Sequence, residues 1–280
     1  FFLFFLLVAR MLNVILANAG AFGAVAGLAS LAASGKKEVM ASDALPIPDF
    51  PFEHKKLTKA LDHASVRRGF QVYKEVCASC HSLDRIAYRN LVDVIGTEDE
   101  IKKWAEDVDF PTEPNAEGEI GERKGKLTDY LPRPYINELA ARAANNGALP
   151  PDLSLIKKAR VGGEDYLFAL LTGYRDAPAG VTLREGQYYN PYFAGSAIGM
   201  EQALKEGSIT YDDGTEATAS QMAKDVSVFL TWTAEPEHDE RKKLGVKTII
   251  LFTLMAIPTL YYKRVKWGVL KTRQIRFGKF

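Results

Sequence analysis

The chain has two cysteines, and both lie in one short segment, Cys77-Ala78-Ser79-Cys80-His81. The spacing C-x-x-C-H is typical of covalent haem attachment, in which each thiol adds across a vinyl group of the porphyrin. His81 follows Cys80 directly, so its imidazole is the candidate proximal ligand of the iron. The segment therefore predicts one covalently bound haem c per chain, and the surrounding chain must fold around that large flat group.

Two other interpretations of this segment are a thioredoxin-like dithiol and half of a zinc site. A thioredoxin motif is expected within a βαβ unit, and the sequence has no such pattern around residue 77. Zinc would need a fourth ligand from elsewhere in the chain. With only two cysteines, a four-cysteine zinc or iron–sulfur site and a disulfide-rich scaffold are both excluded.

The sixth iron ligand has several candidates. Met200 is favoured because it ends the loop Gly195-Ser196-Ala197-Ile198-Gly199-Met200, whose glycines allow the backbone to approach a flat cofactor. Met222 fits the apolar stripe of a helix, where methionine is usually part of the core. The remaining alternatives are the histidines His54, His63 and His238. A His/Met pair raises the reduction potential and closes the iron, which favours electron transfer over oxygen chemistry.

A second constraint lies near the C-terminus, where Leu244–Tyr262 is a 19-residue run whose only charge is Lys247. As an α-helix this run would measure about 28 Å, close to the thickness of the hydrocarbon core of a bilayer. Basic residues flank it on both sides, and Pro258 is tolerated in a membrane helix. The pattern favours a transmembrane anchor over residues 241–262, and the alternative is a buried core helix.

The segments outside this anchor differ strongly in charge. Residues 263–280 form a tail with seven basic residues and no acid. The positive-inside rule places such a tail on the cytoplasmic or matrix side and the large preceding domain on the other side. At the other end, residues 1–40 are an apolar segment, interpreted either as a sorting signal that is later removed or as a retained transmembrane helix.

Residues 41–240 form an acidic domain with 22 basic and 34 acidic side chains, a net charge of −12. Such a field attracts cations and basic proteins, and it makes nucleic acid a poor partner. The polar insertion at residues 98–122 contributes ten acids and two lysines, and together with Asp212 and Asp213 it is the candidate docking surface for a basic partner. The alternatives are a merely solvated acidic loop or a dock for an accessory subunit.

Helical periodicity dominates the acidic domain. Ser65 is the candidate N-cap of a helix over residues 66–76, and further helices are predicted at 136–146, 163–171 and 218–232. In the last of these, Met222, Val226 and Leu230 are spaced along one face. No alternating run is long enough to predict a sheet core. The predicted fold class is mainly α, a c-type cytochrome domain with long loops, anchored by a C-terminal transmembrane helix and possibly a second, N-terminal one.

Several longer segments resemble the cytochrome c1 family of the ubiquinol–cytochrome c reductase (cytochrome bc1) complex over roughly residues 46–280. They are RRGFQVY at 67–73, CASCH at 77–81, ARAANNGALPPDLS at 141–154, GGEDY at 162–166, LTGY at 171–174, NPYF at 190–193, AIGM at 197–200 and AEPEH at 234–238. The sequence departs from the family after Met200, where residues 201–205 lack the common proline-containing sequence. In this family an apolar sorting segment is commonly removed, which would place the cleavage near Ala41.

The resemblance implies a set of haem-contacting residues: Cys77, Cys80, His81, Met200, Pro150, Pro151, Arg160 and Tyr166. In that set His81 and Met200 are the axial ligands, the two prolines pack beside the haem, and Arg160 and Tyr166 reach a propionate. A buried propionate needs a paired cation or hydrogen-bond donors, and arginine suits that role.

The resemblance also implies a function, an electron relay of the mitochondrial inner membrane with the haem domain in the intermembrane space and the tail in the matrix. Electrons would pass from the Rieske iron–sulfur protein to soluble, basic cytochrome c. Cytochrome b, other subunits of a dimeric complex and membrane lipid would be further partners. Such a chain converts no substrate of its own, and it is enzymatic only as a subunit. The alternatives are a membrane-tethered haem enzyme or ligand sensor with an open sixth position, and an assembly scaffold.

Overall fold

The computed structural model describes residues 44–114, 118–275 and 278, so the predictions for residues 1–40 lie outside the described residues. After a short 3₁₀ turn at Glu53–Lys55, the helices are α1 His63–Val72, α2 Tyr88–Leu91, α3 Glu98–Glu106, α4 Glu138–Ala144, α5 Ile156–Ala159, α6 Gly163–Thr172, α7 Ala219–Ala234 and α8 His238–Thr272. The strands form two antiparallel pairs: β1 Asp109–Pro111 with β2 Glu122–Lys124, and β3 Tyr188–Tyr189 with β4 Ala197–Ile198. The predicted mainly α fold is confirmed.

The core lies where α1 packs against α7. The predicted stripe of α7 is buried, and on α1 the side chains of Val66 and Phe70 face it. Asp225 is also buried in α7, and Arg68 of α1 neutralises its carboxylate with a hydrogen bond of 2.9 Å from Nε. Gly69 allows the close approach, because a Cβ there would lie 2.1 Å from the carbonyl oxygen of Asp225.

The boundaries of α1 differ from the prediction at both ends. The N-cap is Asp62, whose carboxylate accepts hydrogen bonds from the amides of Ala64 and Ser65. Ser65 instead lies inside the helix and donates its hydroxyl to Asp62 at 2.8 Å. The carboxylate of Asp62 at the N-cap also interacts favourably with the helix dipole. At the other end the α-helix stops at Val72, and Tyr73–Cys77 continues as a wider π-helical turn.

The acidic insertion at residues 98–122 contains regular secondary structure. Its first part is α3, which begins with a capping box between Thr97 and Glu100. Ile101 and Ala105 of α3 are fully buried, while the acids of this helix face solvent. The insertion is therefore held to the core through one apolar helix face, as expected for an amphipathic surface helix.

Helix α8 begins before the predicted anchor and extends ten residues past it, through Thr272, without a break at Pro258. Among the described residues it is the one helix long and apolar enough to cross a membrane, with a mean hydropathy of 1.7 in its most apolar part. None of that part is buried against the rest of the chain. The first ten residues of the basic tail therefore continue the anchor helix.

Candidate haem-binding site

The C-x-x-C-H segment leaves the core through the π-helical turn. The amide of Ala78 donates to the carbonyl of Tyr73 at 2.8 Å, and the amides of Cys80 and His81 both donate to Cys77, at 3.1 and 2.9 Å. The phenol of Tyr73 donates to the carbonyl of His81 at 3.0 Å. Because Tyr73 is itself buried in the core, these bonds tie both cysteines and His81 to the rigid end of α1.

His81 is held in the form that can ligate a metal. Its Nδ1 lies 2.8 Å from the carbonyl oxygen of Pro151. A carbonyl can only accept, so Nδ1 carries the proton and the lone pair of Nε2 is available to iron. Burial lowers the pKa of His81, although the Pro151 carbonyl and Asp152 act in the opposite direction. The imidazole is therefore neutral at physiological pH, as metal ligation requires.

The loop that supplies this carbonyl is itself fixed to the residues after His81. Asp152 accepts hydrogen bonds from the hydroxyl of Ser82 at 3.0 Å and from the amide of Asp84 at 2.8 Å. The amide of Leu153 donates to the carbonyl of Ser82 at 2.9 Å. The resemblance pointed to Pro150 and Pro151, but it did not reveal Asp152, which orients the loop. The only sequence signal was its position directly after the two prolines.

The two thiols lie in a partly enclosed environment. Burial, with a smaller contribution from Cys80, raises the pKa of Cys77 to about 12, so this thiol is protonated at neutral pH. The phenol of Tyr135 lies 3.8 Å from the sulfur of Cys80. Asn145, which follows α4, donates to that phenol at 3.0 Å. Sequence reasoning did not identify Tyr135 or Asn145 as neighbours of the cysteines, since neither is close to them in the chain.

Met200 ends a loop that the β3–β4 pair holds in place. Within that hairpin the amide of Asn190 donates to the carbonyl of Ser196 at 2.9 Å, and its buried side chain donates to Leu170 of α6 at 2.8 Å. A Cβ on Gly199 would lie 3.0 Å from the Cβ of Ala148, so this loop packs against the loop that carries Pro151. The sequence predicted that this glycine allows an approach to the cofactor, whereas the close contact that the structure shows at Gly199 is with Ala148.

The backbone of Met200 is anchored by Tyr174, whose phenol donates to the Met200 carbonyl at 3.0 Å. Burial raises the pKa of Tyr174, and the nearby Tyr166 makes a smaller contribution in the same direction. The phenol therefore stays protonated and remains a donor. Tyr174 belongs to the LTGY segment that carries the family resemblance, but its role as a support for the Met200 loop could not be predicted from that motif.

We expect Tyr174→Phe to lower the free energy of unfolding by about 1 kcal/mol, because the part-buried Met200 carbonyl loses its donor. Thermal unfolding of the full chain in detergent, followed by circular dichroism, measures the change. Tyr130→Phe is the matched control, since Tyr130 is 52% exposed. Equal losses of stability in the two variants would contradict a specific role for the Tyr174 phenol.

The alternative sixth ligands are engaged elsewhere. Met222 is fully buried in the core, and its sulfur accepts a hydrogen bond from the Ser208 hydroxyl at 3.6 Å. The three other histidines gather near the start of α8, where two acids contact them. These contacts are His54 with Glu164 at 3.4 Å, His238 with Asp239 at 2.8 Å, and His63 with Asp239 at 3.2 Å.

The resemblance implied that Arg160 and Tyr166 reach a propionate, and in the structure the two side chains lie close to each other. Burial raises the pKa of the Tyr166 phenol, although the nearby Arg160 guanidinium opposes that shift. Arg160 also donates to the carbonyl of Ala159 at 3.1 Å and is otherwise exposed. The pair presents a cation and a hydroxyl that could bind a carboxylate such as a haem propionate.

This donor set fits haem. His81 is neutral with Nε2 free, two cysteines flank it at the spacing for thioether bonds, and a thioether donor lies on a supported loop. The described residues contain no group of three or more His, Cys, Asp and Glu side chains that could hold a metal ion. Within that part of the chain, the zinc interpretation therefore finds no set of ligands.

The domain is helical, and its C-x-x-C-H segment ends a core helix. That segment supplies a neutral histidine that is oriented by a backbone carbonyl. This arrangement is typical of a c-type cytochrome. A comparison with protein families is more specific, because the profile of the Cytochrome C1 family matches residues 52–270. The chain belongs to the cytochrome c1 family.

The relatives of this chain cover most of its length. "Cytochrome b-c1 complex catalytic subunit, mitochondrial" of Candida albicans is 57% identical over 82% of this chain and 80% of its own length. "Cytochrome c1 2, heme protein, mitochondrial" of Arabidopsis thaliana is 54% identical over 84% of this chain and 76% of its own length. "Cytochrome c1, heme protein, mitochondrial" of Saccharomyces cerevisiae is 54% identical over 85% of this chain and 77% of its own length.

Proposed function

We propose that this chain is the membrane-anchored haem subunit of a mitochondrial ubiquinol–cytochrome c reductase and relays electrons from the Rieske iron–sulfur protein to soluble cytochrome c. Its family and the names of its relatives support this role over that of a haem enzyme or sensor. The observation that carries the proposal is the hydrogen bond between His81 Nδ1 and the Pro151 carbonyl. This hydrogen bond leaves Nε2 of His81 available to bind iron, and the two cysteines next to His81 have the spacing of a haem-attachment segment.

In this proposal one haem c is bound per chain, through thioether bonds to Cys77 and Cys80. His81 and Met200 are the axial ligands, and Arg160 with Tyr166 binds a propionate. When bound, haem supplies a one-electron iron couple. The chain's own groups orient the ligands: Pro151 holds the imidazole, and Tyr174 holds the Met200 backbone.

Helix α8 anchors the protein in the mitochondrial inner membrane. The acidic head then lies in the intermembrane space, and the basic tail after residue 262 lies in the matrix. This orientation follows from the absence of acids in the tail and its seven basic residues. Cytochrome b and other subunits of a dimeric complex are the partners around the anchor and the head.

The acidic head is proposed to steer basic cytochrome c towards the haem. The favoured docking groups are exposed acids of α3 and of the residue that follows it: Glu98, Asp99, Glu106 and Asp107. Asp212 is also exposed, whereas Asp213 is paired with Arg68 at 2.9 Å. Such charges accelerate the encounter and make binding sensitive to salt, because exposed charges are screened beyond about 8 Å at physiological ionic strength.

Binding of carbon monoxide to the reduced haem distinguishes an electron relay from a ligand sensor or haem enzyme. A His/Met pair leaves no open position, so we expect the reduced full chain to show no spectral change with carbon monoxide and a positive reduction potential in a titration of the haem absorbance. A low potential together with a carbon monoxide complex would contradict the relay and favour the open-site alternative.

A further inference from the structure

The loop at residues 54–61 (the interfacial loop) is bonded to the start of the anchor helix. Lys242 of α8 points its ammonium group into this loop and donates to three backbone oxygens. The acceptors are the carbonyls of His54, Lys56 (2.8 Å) and Lys59 (3.0 Å). The amide of Leu61, at the end of the loop, donates to Asp239 at 2.9 Å. The loop is therefore fixed to the first turns of α8.

The position of this loop relative to the apolar run follows from helix geometry. The run of α8 begins at Leu244, two residues after Lys242, which is about 3 Å further along the helix axis. If α8 spans the membrane, the interfacial loop lies beside the point where the helix enters the lipid head-group region. The inference therefore rests on the proposed insertion of α8.

Three side chains of the interfacial loop, those of Lys56, Leu57 and Lys59, are exposed and suited to that region. The side chain of Leu57 is 67% exposed. Lys56 and Lys59, on either side of it, are exposed and form no ion pair among the described residues. Lys55 differs, because its ammonium is held by Asp49 at 2.6 Å and by Asp165 at 2.5 Å.

An exposed leucine between two free lysines matches the chemistry of a phospholipid surface. The leucine can enter the boundary between head groups and acyl chains, while each ammonium binds a lipid phosphate. We propose that the interfacial loop contacts phospholipids of the leaflet on the head-domain side, with Leu57 inserted and Lys56 and Lys59 binding phosphates. Together with Lys242, this contact sets the height of the head above the membrane.

Photo-cross-linking in nanodiscs tests this proposal. The full haem-loaded chain would carry p-benzoylphenylalanine in place of Leu57, in discs of phosphatidylcholine alone or mixed with phosphatidylglycerol. We expect lipid adducts in both kinds of disc. In the mixed discs, the share of phosphatidylglycerol among the adducts should exceed its share in the bilayer by about fivefold for each lysine. The charge-removing variant Lys56→Gln/Lys59→Gln should keep the lipid adduct and lose this preference.

Two further probe positions act as controls. Ile120, 65% exposed between β1 and β2, is matched to Leu57 in exposure and should give no lipid adduct. Leu254, 61% exposed in the middle of α8, should give lipid adducts at any composition. Lipid adducts at Leu254 but not at Leu57 would overturn the loop contact alone. Their absence at Leu254 would overturn the insertion of α8 and the loop contact with it.

The same cross-linking probe, used in native membranes, shows whether the interfacial loop contacts lipid or a neighbouring protein. Irradiation of membranes that contain the chain in its complex should again join the Leu57 position to lipid. An adduct with another polypeptide in place of lipid would show that the interfacial loop docks a neighbouring subunit, and it would overturn the proposal.

Discussion

Replacing Met200 with leucine is expected to lower the reduction potential of the haem by on the order of 0.1 V, within the ~0.8 V range that axial ligands span. Leucine keeps the apolar character of the side chain but removes the sulfur that would bind iron and raise the potential. The change also opens the sixth position, so the reduced variant should bind carbon monoxide. A redox titration of the haem absorbance and a carbon monoxide difference spectrum measure both effects.

Met222→Leu is the matched control for this prediction. Met222 is fully buried in α7, and its sulfur accepts a hydrogen bond from the Ser208 hydroxyl. A change from methionine to leucine conserves volume, so we expect a loss of stability below about 1.5 kcal/mol and an unchanged potential. If the potential fell in Met222→Leu and not in Met200→Leu, Met222 would be the ligand.

Gly69→Ala is expected to destabilise the head domain by about 3 kcal/mol, at the upper end of typical overpacking costs. The new Cβ would lie 2.1 Å from the carbonyl oxygen of Asp225 and 2.6 Å from the Cβ of Phe229. Both contacts involve atoms that cannot rotate away, so α1 and α7 must separate at the centre of the core. The better helix propensity of alanine, worth about 1 kcal/mol, offsets only part of this.

The measurement is thermal unfolding of the full haem-loaded chain in detergent. A destabilisation of this size should lower the midpoint by roughly 6 to 12 °C in a domain of this length. Gly245→Ala makes the same substitution in a helix where a Cβ would meet no atom within 4 Å, and it should not lower the midpoint. Unfolding midpoints that do not differ between the two variants would contradict the close crossing of α1 and α7.

Features determined by neighbouring residues could be predicted from the sequence alone. The haem-attachment segment is contiguous, and the anchor follows from hydropathy over one stretch. The buried stripe of α7 follows from a spacing of four residues, because such side chains share one helix face. Even here the predicted N-cap was wrong, since Asp62, not Ser65, caps α1. The helix that contains the predicted anchor continues to Thr272.

The tertiary structure decided which groups support the two candidate ligands. The Pro151 carbonyl that orients His81 lies 70 residues away in the chain, and the Tyr174 phenol that holds Met200 lies 26 residues away. Lys242 reaches the loop at residues 54–61 across more than 180 positions. Such hydrogen bonds leave no periodic signal, because they depend on how loops meet after the helices have packed. The sequence alone determined which candidate ligands and which candidate anchor helix this protein has, whereas packing decided how they are held.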